Sequence, residues 1–215
     1  MTQTVVFYAT DTMADWEYGY ALAGFAMAEE QLPGRFRVLV ASESGQPVIS
    51  MGGLRVVPEA ALTDLDPSDI AALILPGAET WAAGHDAVLE LARRLRDPAL
   101  TASVDSVEQA STGVVAAICG ATYGLARAGL LNDHRHTSNA AEYVATAPGY
   151  TGSERYQEAR TVRDGGLITA PATAPVDFAK AIFEALEVFP QPVIDAWYGL
   201  YTTGERRFYD ALVGA

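Results

Sequence analysis

Residues 114–122, Val114-Val115-Ala116-Ala117-Ile118-Cys119-Gly120-Ala121-Thr122, decide the fold. The first five are apolar without interruption, and Val114, Val115 and Ile118 are β-branched. Such a run predicts a strand covered on both faces. The small residues after it, Gly120 to Gly124, predict a helix running to Gly129. A buried strand that turns straight into a helix, with one reactive side chain at the junction, is the layout of a nucleophile elbow. Backbone N–H groups at the helix start suit a thiolate or an oxyanion, so the expectation is a Cys119 pKa below the free value of about 8.5. A free cysteine is also a common small buried hydrophobe, and the spacing alone leaves both readings open.

Outward from this stretch the same alternation repeats. Strands are predicted over residues 4–9, 36–41, 69–75 and 166–170, each a short β-branched apolar run. Helices are predicted over 16–31, 84–96, 99–110 and 176–186, and Ser50-Met51-Gly52-Gly53 between two short β-prone runs predicts a hairpin over 47–57. The last segment, 193–213, carries Trp197, Tyr198, Tyr201, Phe208 and Tyr209 and predicts one or two added helices. Continuous apolar strands alternating with helices define a doubly wound α/β sandwich, a mostly parallel sheet with helices on both faces. No linker divides the chain, so 1–215 is expected to form a single domain with 188–215 as a C-terminal helical extension. In such sheets ligands bind beyond the carboxyl ends of the strands, so the residues just after each strand are the ones to weigh.

Composition narrows the function. The chain of 215 residues holds 14 Lys and Arg against 27 Asp and Glu, a formal charge of −13. That balance gives no footprint for a phosphate backbone, and nucleic acid is excluded as an expected partner. No apolar run reaches the roughly 18 residues of a membrane span, and the first residues lack a signal-peptide pattern. The single cysteine fits a reducing, cytoplasmic setting. Three His and one Cys in no ligand spacing imply no metal, and without a glycine-rich phosphate loop no nucleotide cofactor is expected.

Two further post-strand stretches supply candidates. Leu75-Pro76-Gly77-Ala78 turns sharply after a buried strand, and the next N–H can face a substrate oxygen. Asp15 and Glu17 follow the first strand; either can reach the sheet edge, and either can be a solvated acid of a helix start.

Taken together, Ala117-Ile118-Cys119-Gly120-Ala121-Thr122, Leu75-Pro76-Gly77-Ala78 and Met13-Ala14-Asp15-Trp16-Glu17 resemble the ThiJ/PfpI superfamily over roughly residues 4–187. The resemblance implies a flavodoxin-like fold, a homodimer and one of several activities: peptidase-like, glyoxalase- or deglycase-like, hydratase, chaperone or oxidation sensor. It implies that Cys119 is the reactive cysteine, that Glu17 is the acid beside its sulfur, and that Ala78 and Gly120 supply oxyanion N–H groups.

The chain departs from the peptidase-like members at Gly120, where they carry His; no His follows His136, so the downstream His-x-Glu of the related class I glutamine amidotransferases is absent too. The resemblance brings Asn139 to the position where some small relatives have a histidine. His136, three residues earlier, is a candidate base if the register slips; otherwise His134 and His136 share one face of a polar strand. Trp81 and Trp16 flank the two turns and are candidate pocket walls, with core packing or dimer contact the plainer reading. His85 opens a helix and reads as surface. The resulting expectation is a cysteine-dependent enzyme acting on a small electrophilic carbonyl, amide or nitrile-like substrate, with a non-catalytic oxidation sensor or chaperone-like module as the rival.

Overall fold

The computed structural model describes residues 2–97 and 113–214. The helix expected over 99–110 lies outside the described residues. The parallel core is built from β1 (Gln3–Tyr8), β2 (Phe36–Ser42), β6 (Ile70–Leu75), β7 (Val114–Ile118) and β9 (Leu167–Ala170). Two short strands, β5 (Ala60–Ala61) and β8 (Val162–Asp164), close the edges, giving the order β5-β2-β1-β6-β7-β9-β8. Only the β8–β9 pairing in this sheet is antiparallel. β3 (Val48–Ile49) and β4 (Arg55–Val56) form the expected hairpin apart from the sheet.

Residue alternation divides the strands between two cores. Val5, Phe7, Ile74, Ala116 and Ile118 face α1 (Asp15–Gln31) and α5 (Pro175–Ala185). Val6, Tyr8, Leu73, Leu75, Val115 and Ala117 face α2 (Asp86–Arg96) and α3 (Gly120–Arg127). The short α4 (Ala141–Ala145) follows α3. The C-terminal segment forms two helices, α6 (Gln191–Thr203) and α7 (Arg206–Val213). α6 is fixed by Trp197, buried against Phe183 of α5 at 5.0 Å between ring centroids and against Tyr20 of α1 at 6.1 Å. This is the flavodoxin-like sandwich the sequence implied, with extra C-terminal helices. None of the described helices is long and apolar enough to cross a membrane.

Strand order reverses at β1: its chain neighbour β2 lies on one side and β6 on the other. A crevice opens at such a switch, outside the carboxyl ends of the strands. The ends of β1, β6 and β7 deliver residues 9–17, 76–81 and 119 to that one place.

Candidate active site

Cys119 has φ 57° and ψ −124°, a conformation that a non-glycine residue adopts only when its surroundings hold it. Its N–H donates to the Ala170 carbonyl at 2.9 Å, and its carbonyl accepts from Thr122 N at 3.1 Å and Thr122 Oγ1 at 2.6 Å. These bonds pin the elbow between β7 and α3 and turn the sulfur into the crevice, half-buried. The Gly120 N–H donates to the sulfur.

Glu17 lies in the first turn of α1 and is only 1% exposed, so it is not a solvated helix-start acid. Its Oε2 accepts from Gly77 N at 2.6 Å, while Oε1 is buried with no aligned donor. Burial pushes its carboxyl up to about 7. Burial and then the charge of Glu17 push the Cys119 thiol up to about 11. The expected low-pKa thiolate is therefore corrected: the N–H donors are present, but desolvation and a carboxylate outweigh them. Asp15 is the solvated acid of the pair, accepting from Gly52 N of the hairpin at 2.6 Å.

Gly77 packs against both the carboxyl and the sulfur. A Cβ there would lie 2.6 Å from Glu17 Oε2, 2.7 Å from Cys119 Cβ and 3.0 Å from Sγ, so the backbone passes where no side chain fits. Ala14 N donates to the Gly77 carbonyl at 2.9 Å, and Glu79 N donates to Thr12 Oγ1 at 3.0 Å, which fixes the turn after β6. Ala78 N then stands beside Gly120: a Cβ on Gly120 would be 3.4 Å from it and 2.8 Å from the Ala78 carbonyl. Both expected oxyanion donors thus sit together at the elbow. A Cβ at position 120 would also meet Trp81 Cδ1 at 3.1 Å. The histidine of the peptidase-like pattern has no room here.

Asn139 completes the sulfur's surroundings. Its Nδ2 donates to Sγ at 3.3 Å, and its Oδ1 accepts from Ala172 N at 2.9 Å. The second bond dictates the first: with the oxygen held by a backbone donor, the amide must present N–H to the sulfur. Tyr143, on α4, is coupled electrostatically to Cys119 and was not singled out by the sequence.

His136 is not brought to the site. It is fully buried, with Nε2 bonded to Tyr150 O–H at 2.7 Å and Nδ1 to the His134 carbonyl at 2.7 Å. Both nitrogens are engaged, and burial lowers its pKa, so it is a packing centre and not a base for Cys119. His134 does not share its environment; it lies beside Asp164 at 3.6 Å. Trp81 is 1% exposed and donates Nε1–H to the Pro76 carbonyl at 2.9 Å, so it supports the turn from behind and does not wall the pocket. Trp16 is 57% exposed on the outer face of α1, beside Tyr20, Met27, Trp197 and Tyr201, away from the sulfur.

A cysteine at a strained strand-to-helix elbow, beside a buried glutamate on a flavodoxin-like sandwich, defines a class of protein. The sequence model of the DJ-1/PfpI family matches residues 3–185, and the chain belongs to that family. A Bacillus subtilis (strain 168) protein called "Uncharacterized protease YoaZ" is 33% identical over 215 residues, covering 99% of this chain and 97% of the relative. The crystal structure of a thiJ/pfpI family protein from Bacillus anthracis superposes with a TM-score of 0.85 at 32% identity, covering 100% of this chain and 97% of the other. A DJ-1 superfamily protein from Agrobacterium tumefaciens gives 0.77 at 34% identity, covering 95% and 99%.

Proposed function

We propose that the chain is a cytoplasmic cysteine-dependent enzyme that acts on small reactive carbonyls, of which 2-oxoaldehydes are the best-fitting class. The observation that carries this reading is the pairing of Cys119 with Glu17, a carboxyl held near neutrality by burial, and with no imidazole at the sulfur. In the attack, the thiol proton passes to the Glu17 carboxylate and sulfur bonds to the aldehyde carbon. The carbonyl electron pair moves to oxygen, where the Ala78 and Gly120 N–H groups receive it. Glu17 returns the proton, and a hemithioacetal results. A 2-oxoaldehyde completes the change within itself: Glu17 carries the proton from the first carbon to the second, the hydroxyl proton passes from the first oxygen to the second, and water releases the acid from the resulting thioester and restores the thiol. One base near the working pH suffices for each step.

An amide is less electrophilic and must expel a protonated amine, which calls for an imidazole that alternates between base and acid. Asn139 donates a hydrogen bond and accepts no proton, so the word "protease" in its relative's name finds no support in the residues around Cys119. Methylglyoxal consumption by wild type, Cys119→Ala and Glu17→Gln tests the reading. The expected result is turnover by wild type alone; peptide hydrolysis abolished by Cys119→Ala would overturn it.

One observation favours a second reading. The N–H groups of Gly120 and Asn139 aimed at sulfur also suit the oxygens of an oxidised cysteine. Intact mass after peroxide, showing a stable two-oxygen adduct with no carbonyl turnover, would favour it.

A further inference from the structure

We propose that His85 is a positioning residue for carbonyl chemistry at Cys119, holding the Ala78 N–H in place through Trp81 and Thr80. The inference rests on the carbonyl reading above, and it adds His85, Thr80 and Tyr8 to the site already described.

His85 precedes α2 with φ 61° and ψ 20°, and Gly84 before it has φ 72°. Two consecutive left-handed residues make the corner, and glycine or asparagine would adopt the second position with less strain. The imidazole is therefore what position 85 contributes. Its ring stacks on Trp81 with centroids 4.3 Å apart and planes 22° from parallel. Nε2 is bonded to Thr80 Oγ1 at 2.8 Å, and Nδ1 to the Tyr8 hydroxyl at 2.9 Å. The Tyr8 hydroxyl gives its one proton to Glu43, so Nδ1–H donates to Tyr8 and Nε2 accepts from the Thr80 hydroxyl, which fixes one neutral tautomer. Tyr8 is anchored in turn: its ring is buried at the end of β1, and its O–H reaches Glu43 Oε2 at 3.2 Å.

These contacts converge on the oxyanion turn. Thr80 and Trp81 lie two and three residues after Ala78. Trp81 closes the loop on itself through the Pro76 carbonyl, and its other edge fills the space over α3, where a Cβ on Gly124 would be 2.3 Å from Cε3. The indole is clamped between imidazole and elbow helix. Arg127 of α3 donates to the Gly84 carbonyl, which ties the corner to the same helix. Loss of the imidazole frees one face of Trp81 and the Thr80 hydroxyl, and the turn carrying Ala78 N–H loses its outer support. Glu17 and Asn139 keep their bonds to Gly77 and Ala172, so the sulfur itself is untouched.

The test separates two reactions of one thiol. Acetylation by p-nitrophenyl acetate joins sulfur to the acetyl carbon and expels p-nitrophenolate, while the thiol proton goes to Glu17. Negative charge develops on the acetyl oxygen as sulfur adds, and the oxyanion donors are engaged. Alkylation by iodoacetamide displaces iodide at a saturated carbon, and no oxyanion forms. Donors misplaced by about an ångström cost on the order of 10²-fold. His85→Asn, which tolerates the left-handed corner and loses the stack, is expected to slow acetylation roughly 10- to 100-fold. Alkylation should stay within about twofold with an unchanged pH profile. His85→Phe keeps the stack, loses both hydrogen bonds and should fall between.

Nuclear magnetic resonance of the unreacted protein supplies a readout without chemistry: the Ala78 amide and Trp81 indole signals should shift in both variants while the Asn139 side-chain signal holds. Equal slowing of both reactions, unslowed acetylation, or an unmoved Ala78 amide would each overturn the positioning role. A wild type that is alkylated but never acetylated overturns the carbonyl reading and this inference with it, so the two failures are told apart by the wild-type control.

Discussion

Replacing Glu17 by Gln should raise the reactivity of Cys119 toward alkylation while abolishing carbonyl turnover. With the thiol pushed up to about 11, about one sulfur in 10⁴ is ionised at pH 7. Part of that elevation is the Glu17 charge, and a like charge a few ångströms away shifts a pKa by about one to three units. Its removal increases the thiolate fraction about 10- to 1,000-fold. Sulfur becomes less nucleophilic as it becomes less basic, with a Brønsted slope near 0.5, so the net gain is about 3- to 30-fold in rate. Turnover of a carbonyl substrate should move the other way, by about 10²- to 10⁴-fold, because the amide cannot exchange the proton. The assay is iodoacetamide incorporation at Cys119 across pH 6–10, run beside methylglyoxal consumption. An alkylation midpoint that does not move toward lower pH would refute the coupling of Glu17 to sulfur. Parallel loss of both reactions would show that the substitution had simply disturbed the elbow.

The same carboxyl makes a stability prediction. Its folded pKa near 7 exceeds the ordinary 4.5, so the native state holds the extra proton between those values. Stability from this group is full below about pH 4.5 and is lost as pH rises through 7, by about 3 kcal/mol. Urea titrations at pH 5 and 8 should show Glu17→Gln gaining far more on wild type at the higher pH. Gly77→Ala should end Cys119 reactivity and destabilise the fold by about 1–3 kcal/mol, since its methyl group meets both Glu17 and Cys119; retention of near wild-type alkylation would show that the turn relaxes freely. Asn139→Ala removes an N–H from the sulfur and should move the alkylation midpoint to higher pH; a midpoint that fell would reverse the role given to the amide. Light scattering at micromolar concentration should report a dimer, with the exposed Ile49, Met51, Leu54 and Val57 of the hairpin as its apolar contact, and a monomer mass would refute that.

What the sequence shows and what it hides follow different ranges of interaction. β7 is found over the predicted residues 114–118, and the parallel strands lie within a residue of expectation, because unbroken apolar runs have one stable use in a covered sheet. The turn residues Ala78 and Gly120 meet because β6 and β7 are neighbours and both end at the crevice. The burial of His136 and the half-burial of His85 are hidden from the sequence for one reason: the burial of a polar ring depends on which distant hydroxyls meet it. Tyr150 encloses His136, and Tyr8 and Thr80 enclose His85. The rise in the Cys119 pKa escaped local reading too, because helix-start donors adjoin the cysteine in sequence while Glu17 is brought in from α1 by folding. Asn139 was placed near the sulfur by likeness to relatives; its orientation needed the Ala172 amide, which no local pattern encodes.

Gly120 connects this packing to the choice of chemistry. Trp81 packs on α3 at Gly120 and Gly124, and the Ala78 carbonyl closes over position 120, so any side chain there displaces either the indole or the oxyanion turn. A histidine next to Cys119 would thus supply a base only by dismantling the donors that make the attack worthwhile. Installing Gly120→His should consequently lower reactivity with p-nitrophenyl acetate and yield no peptide cleavage, even though it restores the adjacent Cys–His pair. A base can enter more safely from the side of Asn139, which already contacts Sγ from an exposed position. Asn139→His gives up the bond to Ala172 N but leaves Ala78, Gly120 and Trp81 undisturbed. Its pH–rate profile for ester acylation should gain a limb near the ordinary histidine value of about 6.5, which Asn139→Ala lacks. If Gly120→His gained esterase activity and Asn139→His did not, the packing of Trp81 against α3 would not be what keeps the imidazole out.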